Sequence, residues 1–255
     1  MRISPAVARD IRNGVLIGAA LLIVLLPLIS KVSSPGPEAA QAHIAVAEPL
    51  SPSPPPLPDF GDVDITANTR ELVQWIARTG DNAGMPFVLV DKQAARLHVF
   101  NAVARLQDST PVLLGSAPGD ESVPGIGTRP VALVQPHERT TPAGRFVGRF
   151  GHTLTGEDVV WVDYDAAVSM HRVRPTLQPR ERRAERLASA TIDDNRISYG
   201  CINVPAAFYD ANIHPVFSTM SAVVYVLPEK KTLGEVFGLT ASSPQASVRR
   251  SAGAV

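Results

Sequence analysis

The apolar positions change period along the chain after residue 59. Over 66–78 they fall at helical spacing, with Leu72, Val73, Trp75 and Ile76 forming one stripe, and Gly80, Asp81 and Asn82 then stop it. Downstream, apolar residues gather in short β-type runs at 87–90, 96–100, 111–114, 131–134, 145–147, 159–162 and 167–170, each bounded by polar, Gly or Pro turn residues. Helical spacing returns at 179–190, where Pro179 suits a first helical position, and at 205–212. A last strand is expected at 223–227, and 231–255 lose all periodicity and read as a frayed tail. Short strands separated by Gly/Pro turns predict a mainly β domain with short helices, a sandwich or a barrel.

A different pattern occupies the N-terminus. Arg2, Arg9 and Arg12 precede an uncharged, apolar stretch from Asn13 to Ser30. As a helix it is about 27 Å long at ~1.5 Å per residue, near the ~30 Å of a bilayer core. The basic flank predicts a cytoplasmic stub, with the rest of the chain exported. Two readings fit: an uncleaved membrane anchor, or a signal peptide cut after Ala40-Gln41-Ala42. Residues 31–58 form a linker whose Ser51-Pro-Ser-Pro-Pro-Pro-Leu-Pro58 core suits extended polyproline II or a flexible tether. The expected organisation is thus a membrane or signal segment over 1–30, the linker, a helical lead-in over 59–84, a domain over 85–228 and a tail over 229–255.

Composition narrows the partners. The chain is 45% hydrophobic and 19% charged, as a globular protein is, and its 24 basic residues balance 24 acidic ones. No basic and aromatic repeat accompanies the 5% aromatic content, so nucleic acid is not an expected partner.

The chain holds one cysteine, Cys201. An exported protein with a single cysteine has no intramolecular disulfide to make, which leaves an accident, an intermolecular link or a reactive thiol. Gly200 before it and Ser198 three before it suggest a tight turn that presents the thiol beside free backbone N–H groups. A thiol of ordinary pKa, near ~8.5, is mostly protonated at neutral pH, so a nucleophile here needs a base. His43 lies in the linker, and His98 and His137 lie in or beside early strands. His171, at the end of the 167–170 run, is the best-placed candidate.

Ser198-Tyr199-Gly200-Cys201-Ile202-Asn203, with His171 upstream and Thr141-Pro142-Ala143-Gly144-Arg145-Phe146 before that, resembles the L,D-transpeptidase (YkuD-type) catalytic domain. The resemblance covers roughly residues 85–228, and the run 89–99 is similar to the family's opening hairpin. It implies a β-sandwich-like domain with no metal or organic cofactor. It implies that Cys201 is the nucleophile, that His171 is its general base, and that the backbone N–H groups of Tyr199, Gly200 and Cys201 form the oxyanion hole. Ser198 would brace the turn on the substrate side, Asn203 would hold the loop or bind substrate, and the Arg172 carbonyl would supply the third member of the triad. The implied partners are peptidoglycan stem peptides at the periplasmic face of a bacterial envelope, with another stem's amine, a lipoprotein, a free D-amino acid or water as acyl acceptor. A hydrolase on the same site, or an inactive peptidoglycan-binding module, are the competing readings.

Three features depart from the family pattern: Tyr199 replaces a usual His, Arg172 replaces a usual Gly, and the spacer from His171 to Ser198 is long. That spacer carries Arg174, Arg180, Arg182, Arg183 and Arg186 against Glu181 and Glu185. Its surplus positive charge reads either as a lid in which Arg172, Arg182 and Arg183 meet substrate carboxylates, or as a solvated helix face with internal ion pairs.

Overall fold

The computed structural model describes residues 57–174 and 179–239. The expected membrane or signal segment, nearly all of the linker, spacer residues 175–178 and residues 240–255 lie outside the described residues. Within them no helix is long and apolar enough to cross a membrane.

The elements in chain order are α1 (Ala67–Thr79), β1 (Phe87–Asp91), β2 (Arg96–Phe100), β3 (Leu106–Pro111), β4 (Leu114–Gly115), β5 (Gly144–His152), β6 (Asp158–Asp163) and β7 (Val168–Arg172). There follow α2 (Arg183–Ala188), β8 (Arg196–Ser198), β9 (Ile202–Val204), α3 (Ala206–Phe208), α4 (His214–Phe217), β10 (Ala222–Val226) and α5 (Leu233–Phe237). The mainly β character with short helices agrees with the apolar pattern. α1 begins where Thr66 Oγ1 accepts the Thr69 N–H at 3.2 Å. It ends where left-handed Gly80 donates its N–H to the Ile76 carbonyl at 2.8 Å.

Eight strands form one sheet in the order β3-β2-β1-β10-β5-β6-β7-β9, and β4 pairs with β8 apart from it. The central pair, β1 and β10, is parallel and buried along its whole length, which is why both segments are nearly continuous apolar runs. β5 is long enough to serve two halves: Gly144–Gly148 pair with β10, and Arg149–His152 pair with β6. β5 thus links the two halves of one continuous sheet. Its inner face is a single cluster that joins Val88, Leu97 and Val224 from one half to Val160, Met170 and Ile202 from the other. The outer face of β1, β2 and β10 is covered by Leu72, Val73 and Ile76 of α1.

Several local expectations are corrected. Residues 131–134 are not a strand but a 3-10 turn with Val131 and Leu133 exposed, because Pro130 and Pro136 bracket the run and cannot donate to a ladder. The apolar run 111–114 is split, since β3 ends at Pro111 and β4 begins at Leu114. The helix expected over 179–190 breaks into a 3-10 turn at Pro179–Glu181 and the short α2, separated by Arg182 in the left-handed region at φ 50°. The helix expected over 205–212 runs on to Phe217 through a π turn at Tyr209–Ile213, just before Pro215, which has no N–H for the preceding turn. The start of the expected tail is also ordered: Thr232 and Glu235 form a reciprocal capping box, and Leu233 of α5 is buried in the core.

Candidate active site

β7 and β9 lie side by side and parallel, with Met170 opposite Ile202, His171 opposite Asn203 and Arg172 opposite Val204. Side chains alternate along a strand, so this register sends Met170 and Ile202 into the core, where both are fully buried. Ser169 and His171 on one strand, and Cys201 and Asn203 on the other, then share the opposite face. This juxtaposition of residues far apart in sequence assembles the site.

The nucleophile turn is held from two sides. Ser198 Oγ donates to the Cys201 carbonyl at 2.6 Å and accepts the Gly200 N–H at 3.1 Å. Gly200 sits at φ 129°, and a Cβ there would come within 2.8 Å of the Thr140 carbonyl oxygen, so only glycine fits. Thr141 Oγ1 donates to the Gly200 carbonyl at 2.8 Å and accepts the Gly115 N–H at 2.9 Å. The Thr141-Pro142-Ala143-Gly144 motif therefore reaches the nucleophile turn through a fully buried threonine hydroxyl.

Cys201 is partly exposed. Its Sγ lies 3.6 Å from Ser169 Oγ and 3.8 Å from the Ala167 carbonyl. The thiol and the His171 imidazole shift each other. Burial works against the charged form of each. The hydrogen bond and charge between them outweigh burial, raising His171 above the usual histidine range and lowering Cys201 below the usual thiol range. His171 Nδ1 is 3.0 Å from the Arg172 carbonyl, and Nε2 is 3.1 Å from Asn203 Nδ2. A base oriented by a second group beside a partly exposed thiol is the arrangement nucleophilic catalysis requires. Among the described residues no three His, Cys, Asp or Glu side chains converge as a metal site would.

Other expected site residues are placed differently. The Gly200 N–H is spent on Ser198 Oγ, which leaves the N–H groups of Tyr199 and Cys201 as the turn's donors without a partner among the described residues. Ser198 is buried and its hydroxyl is fully used within the turn, so it does not face a substrate. Tyr199 is 40% exposed and its ring lies under the Arg139 guanidinium, 4.1 Å from carbon to ring centre. The Arg172 guanidinium points away from the site, onto Asp158 at 2.7 Å and Asp210 at 2.7 Å, and stacks over Tyr209. Arg182 pairs with Glu185 at the surface. Arg183 pairs with Glu181 but also donates to Asn203 Oδ1, which brings it to the site. Of the remaining described histidines, His98 is buried in β2, His137 lies in the 3-10 turn Pro136–Glu138, and His152 and His214 both stack edge-on with Phe150.

A cleft of about 470 Å3 lies on the other side of Ala167. Thr128, His152, Trp161, Tyr164 and Ala167 line it, and the Ala167 carbonyl is the group that touches Cys201 Sγ. Trp161 and Tyr164 pack edge to face at 5.3 Å between ring centres, giving the cleft an aromatic wall. Sequence pattern alone had no means of finding this wall, because Trp161 reads as a core strand residue and Tyr164 as part of a turn.

No family model matches the chain, and no curated protein matches it. Solved structures do. An L,D-transpeptidase from Mycobacterium smegmatis is similar at 17% identity and a TM-score of 0.32, covering 56% of this chain and 58% of that one. The helical cell shape determining protein Pgp2 from Campylobacter jejuni is similar at 16% identity and a TM-score of 0.38, covering 58% and 49%. The catalytic domain of the E. faecium L,D-transpeptidase is similar at 16% identity and a TM-score of 0.30, covering 56% and 96%. The chain thus spans about half the length of the first two. At these scores the likeness carries nothing about activity, which has to be argued from the site itself.

Proposed function

We propose that this protein is a cysteine-dependent L,D-transpeptidase of the bacterial cell envelope, acting on peptidoglycan stem peptides. The observation that supports the reading most is the partly exposed Cys201 thiol paired with His171, whose other ring nitrogen meets the Arg172 carbonyl. Cys201 Sγ attacks the carbonyl carbon of an L,D-linked bond while His171 holds the thiol proton. The N–H groups of Cys201 and Tyr199 face the oxygen on which charge develops, and charge that appears only in the tetrahedral intermediate is stabilised selectively. Collapse expels D-alanine, whose amine takes the proton from His171, and leaves a thioester on Cys201. An amine from a second stem then attacks the thioester, His171 accepts its proton, and the thiolate departs. A lipoprotein amine, a free D-amino acid or water can complete the same second half-reaction. The N-terminal apolar segment would hold or deliver the domain to the periplasmic face.

A carbapenem offers a strained acyl donor for the first half-reaction. Incubation with imipenem followed by intact-mass measurement is expected to give one covalent adduct on the wild type and none on Cys201→Ala. A folded wild-type protein with no adduct would sink the enzyme reading in favour of a binding module. Stem-peptide products analysed by mass spectrometry then separate transfer from hydrolysis.

A further inference from the structure

The inserted segment between base and nucleophile makes one contact that reaches the chemistry. Arg183, the first residue of α2, donates through its terminal guanidinium nitrogen to Asn203 Oδ1, and through Nε to Glu181 at 2.5 Å. A guanidinium has donors and no acceptor, so the group it meets on Asn203 must be the amide oxygen. That fixes the amide: its NH2 side faces His171 Nε2 at 3.1 Å. An amide NH2 only donates, so this arrangement suits a neutral ring with Nε2 as the acceptor. The ring proton then sits on Nδ1 and is donated to the Arg172 carbonyl at 3.0 Å. Donors run in one direction along the chain of contacts, from Arg183 through Asn203 and His171 to the Arg172 carbonyl.

This order has a consequence for the thiol. When His171 takes the Cys201 proton, both ring nitrogens carry hydrogen, and the Nε2 N–H then confronts the Asn203 NH2. Two donors face each other, which disfavours the imidazolium. If Arg183 leaves, the amide can turn over and offer Oδ1 to the same N–H, which favours it. The tether is shallow: no residue of α2 is buried. Arg186 braces the segment internally by donating to the Glu181 and Asp194 carbonyls at 2.9 and 3.0 Å, and beyond α2 Asn195 Nδ2 anchors it by donating to the Val112 carbonyl at 2.9 Å. Segments with little buried apolar area open at low cost.

We propose that Arg183 is a positioning residue that acts through Asn203 on His171: docked, it opposes the thiolate–imidazolium form of the pair, and undocked, it relieves that opposition. The proposal rests on reading Cys201 and His171 as a reactive pair, and it concerns how that pair is held in check. The titratable and charged side chains that bear on His171 are Cys201 from the nucleophile turn and Arg183 from α2. The Arg172 side chain of its own strand is turned to Asp158 and Asp210. Conversion between the two forms leaves the net charge of the pair unchanged. The positive charge of Arg183 therefore affects it less than the direction of the Asn203 amide does.

The test is the pH dependence of Cys201 alkylation by iodoacetamide, followed by intact mass from about pH 5 to 9, where histidine and cysteine titrate. Arg183→Met is expected to move the profile to lower pH, with roughly a tenfold faster reaction at the acid end for each unit of displacement. Asn203→Asp, which offers an oxygen to both neighbours, should react fast at low pH already, and adding Arg183→Met to it should change nothing further. Superimposed profiles for the wild type and Arg183→Met would overturn the proposal. So would an equal displacement in both backgrounds, because Arg183 would then act by charge and not through the amide. The 15N shifts of the His171 ring provide a second measurement: a larger neutral Nδ1–H share in the wild type than in Arg183→Met at the same pH. Iodoacetamide needs no peptidoglycan substrate. A responsive profile with no transfer product would refute the substrate assignment alone, while transfer with superimposed profiles would refute the role of Arg183 alone.

Discussion

Two buried polar clusters in this molecule look alike on a list of ionisable groups and behave as opposites. In the first, Lys92 is fully buried and donates to Asp120 at 2.8 Å, to the Gly119 carbonyl at 2.5 Å and to the Thr141 carbonyl at 3.0 Å. Asp120 also accepts the backbone N–H groups of Glu229, Lys230 and Lys231, and Glu229 is paired with Arg196. All three ammonium donors are used, and the cluster ties the β1–β2 turn to the chain beyond β10. In the second, around His171 and Cys201, the cysteine is partly exposed, its contacts at 3.6 and 3.8 Å are loose, and Ala167, which touches it, lines an aromatic cleft. Density of buried charge therefore does not mark a site. What distinguishes the second cluster is unspent capacity next to open space.

The comparison predicts effects that separate stability from chemistry. The largest is expected at His171. Replacing it with Gln removes the base and should slow acylation of Cys201 by about 10²–10⁴-fold, with little change in melting temperature. Parallel losses of both would break the contrast, because His171 would then be structural as well. Next comes Lys92→Met, which strands Asp120 without its cation. A loss of about 3–5 kcal/mol in urea unfolding is expected, with the folded fraction still acylated at the wild-type rate. The smallest effect is a slope with pH. Burial depresses His98 in β2 to about 4 from an ordinary 6.5, and its Nδ1 has no hydrogen-bond partner. As pH falls through 6.5 the unfolded chain gains a proton that the fold refuses, so stability should decline by roughly 3 kcal/mol down to about pH 4. Asp120 shows the opposite balance, because its contacts with Lys92 and three N–H groups outweigh burial and hold it at about 2. Its contribution is intact above 3.8 and is lost only as pH falls toward 2, about 2 kcal/mol in all. His98→Leu should flatten the upper part of this curve and leave the lower part; an unchanged upper slope would assign it to another group.

Much of the sheet was legible because its strands are local runs of branched and aromatic residues, as at 87–90, 96–100 and 159–162. β8 and β9, three residues each, were not, since a run that short carries no period and is fixed by partners distant in sequence. The same distinction runs through the site. Cys201, Gly200 and His171 stand out by residue type and spacing. That Asn203 would meet His171 depends on the β7–β9 register, and that Arg183 would meet Asn203 depends on where α2 lands. Thr141 was legible as part of a turn, but its hydrogen bond to Gly200 was not. The Arg-rich spacer illustrates the limit most clearly: its charge was countable, yet Arg182 and Arg183, adjacent in sequence, face a surface glutamate and the site respectively.

The parallel pairing of β1 with β10 also bears on how the chain reaches its working form. Phe87 and Val223 are partners at the centre of the sheet, so this ladder closes only after nearly the whole domain has been synthesised. Pairings between such distant residues cost loop entropy before they return any contact energy, and they slow folding. β5 pairs with β10 on one side and carries the β6–β7–β9 half on the other, so the strands that bring His171 beside Cys201 are secured late. Until then the thiol has no imidazole partner and keeps the low reactivity of an ordinary cysteine. The topology thus acts as a timer, delaying the appearance of a nucleophile until the chain around it is complete.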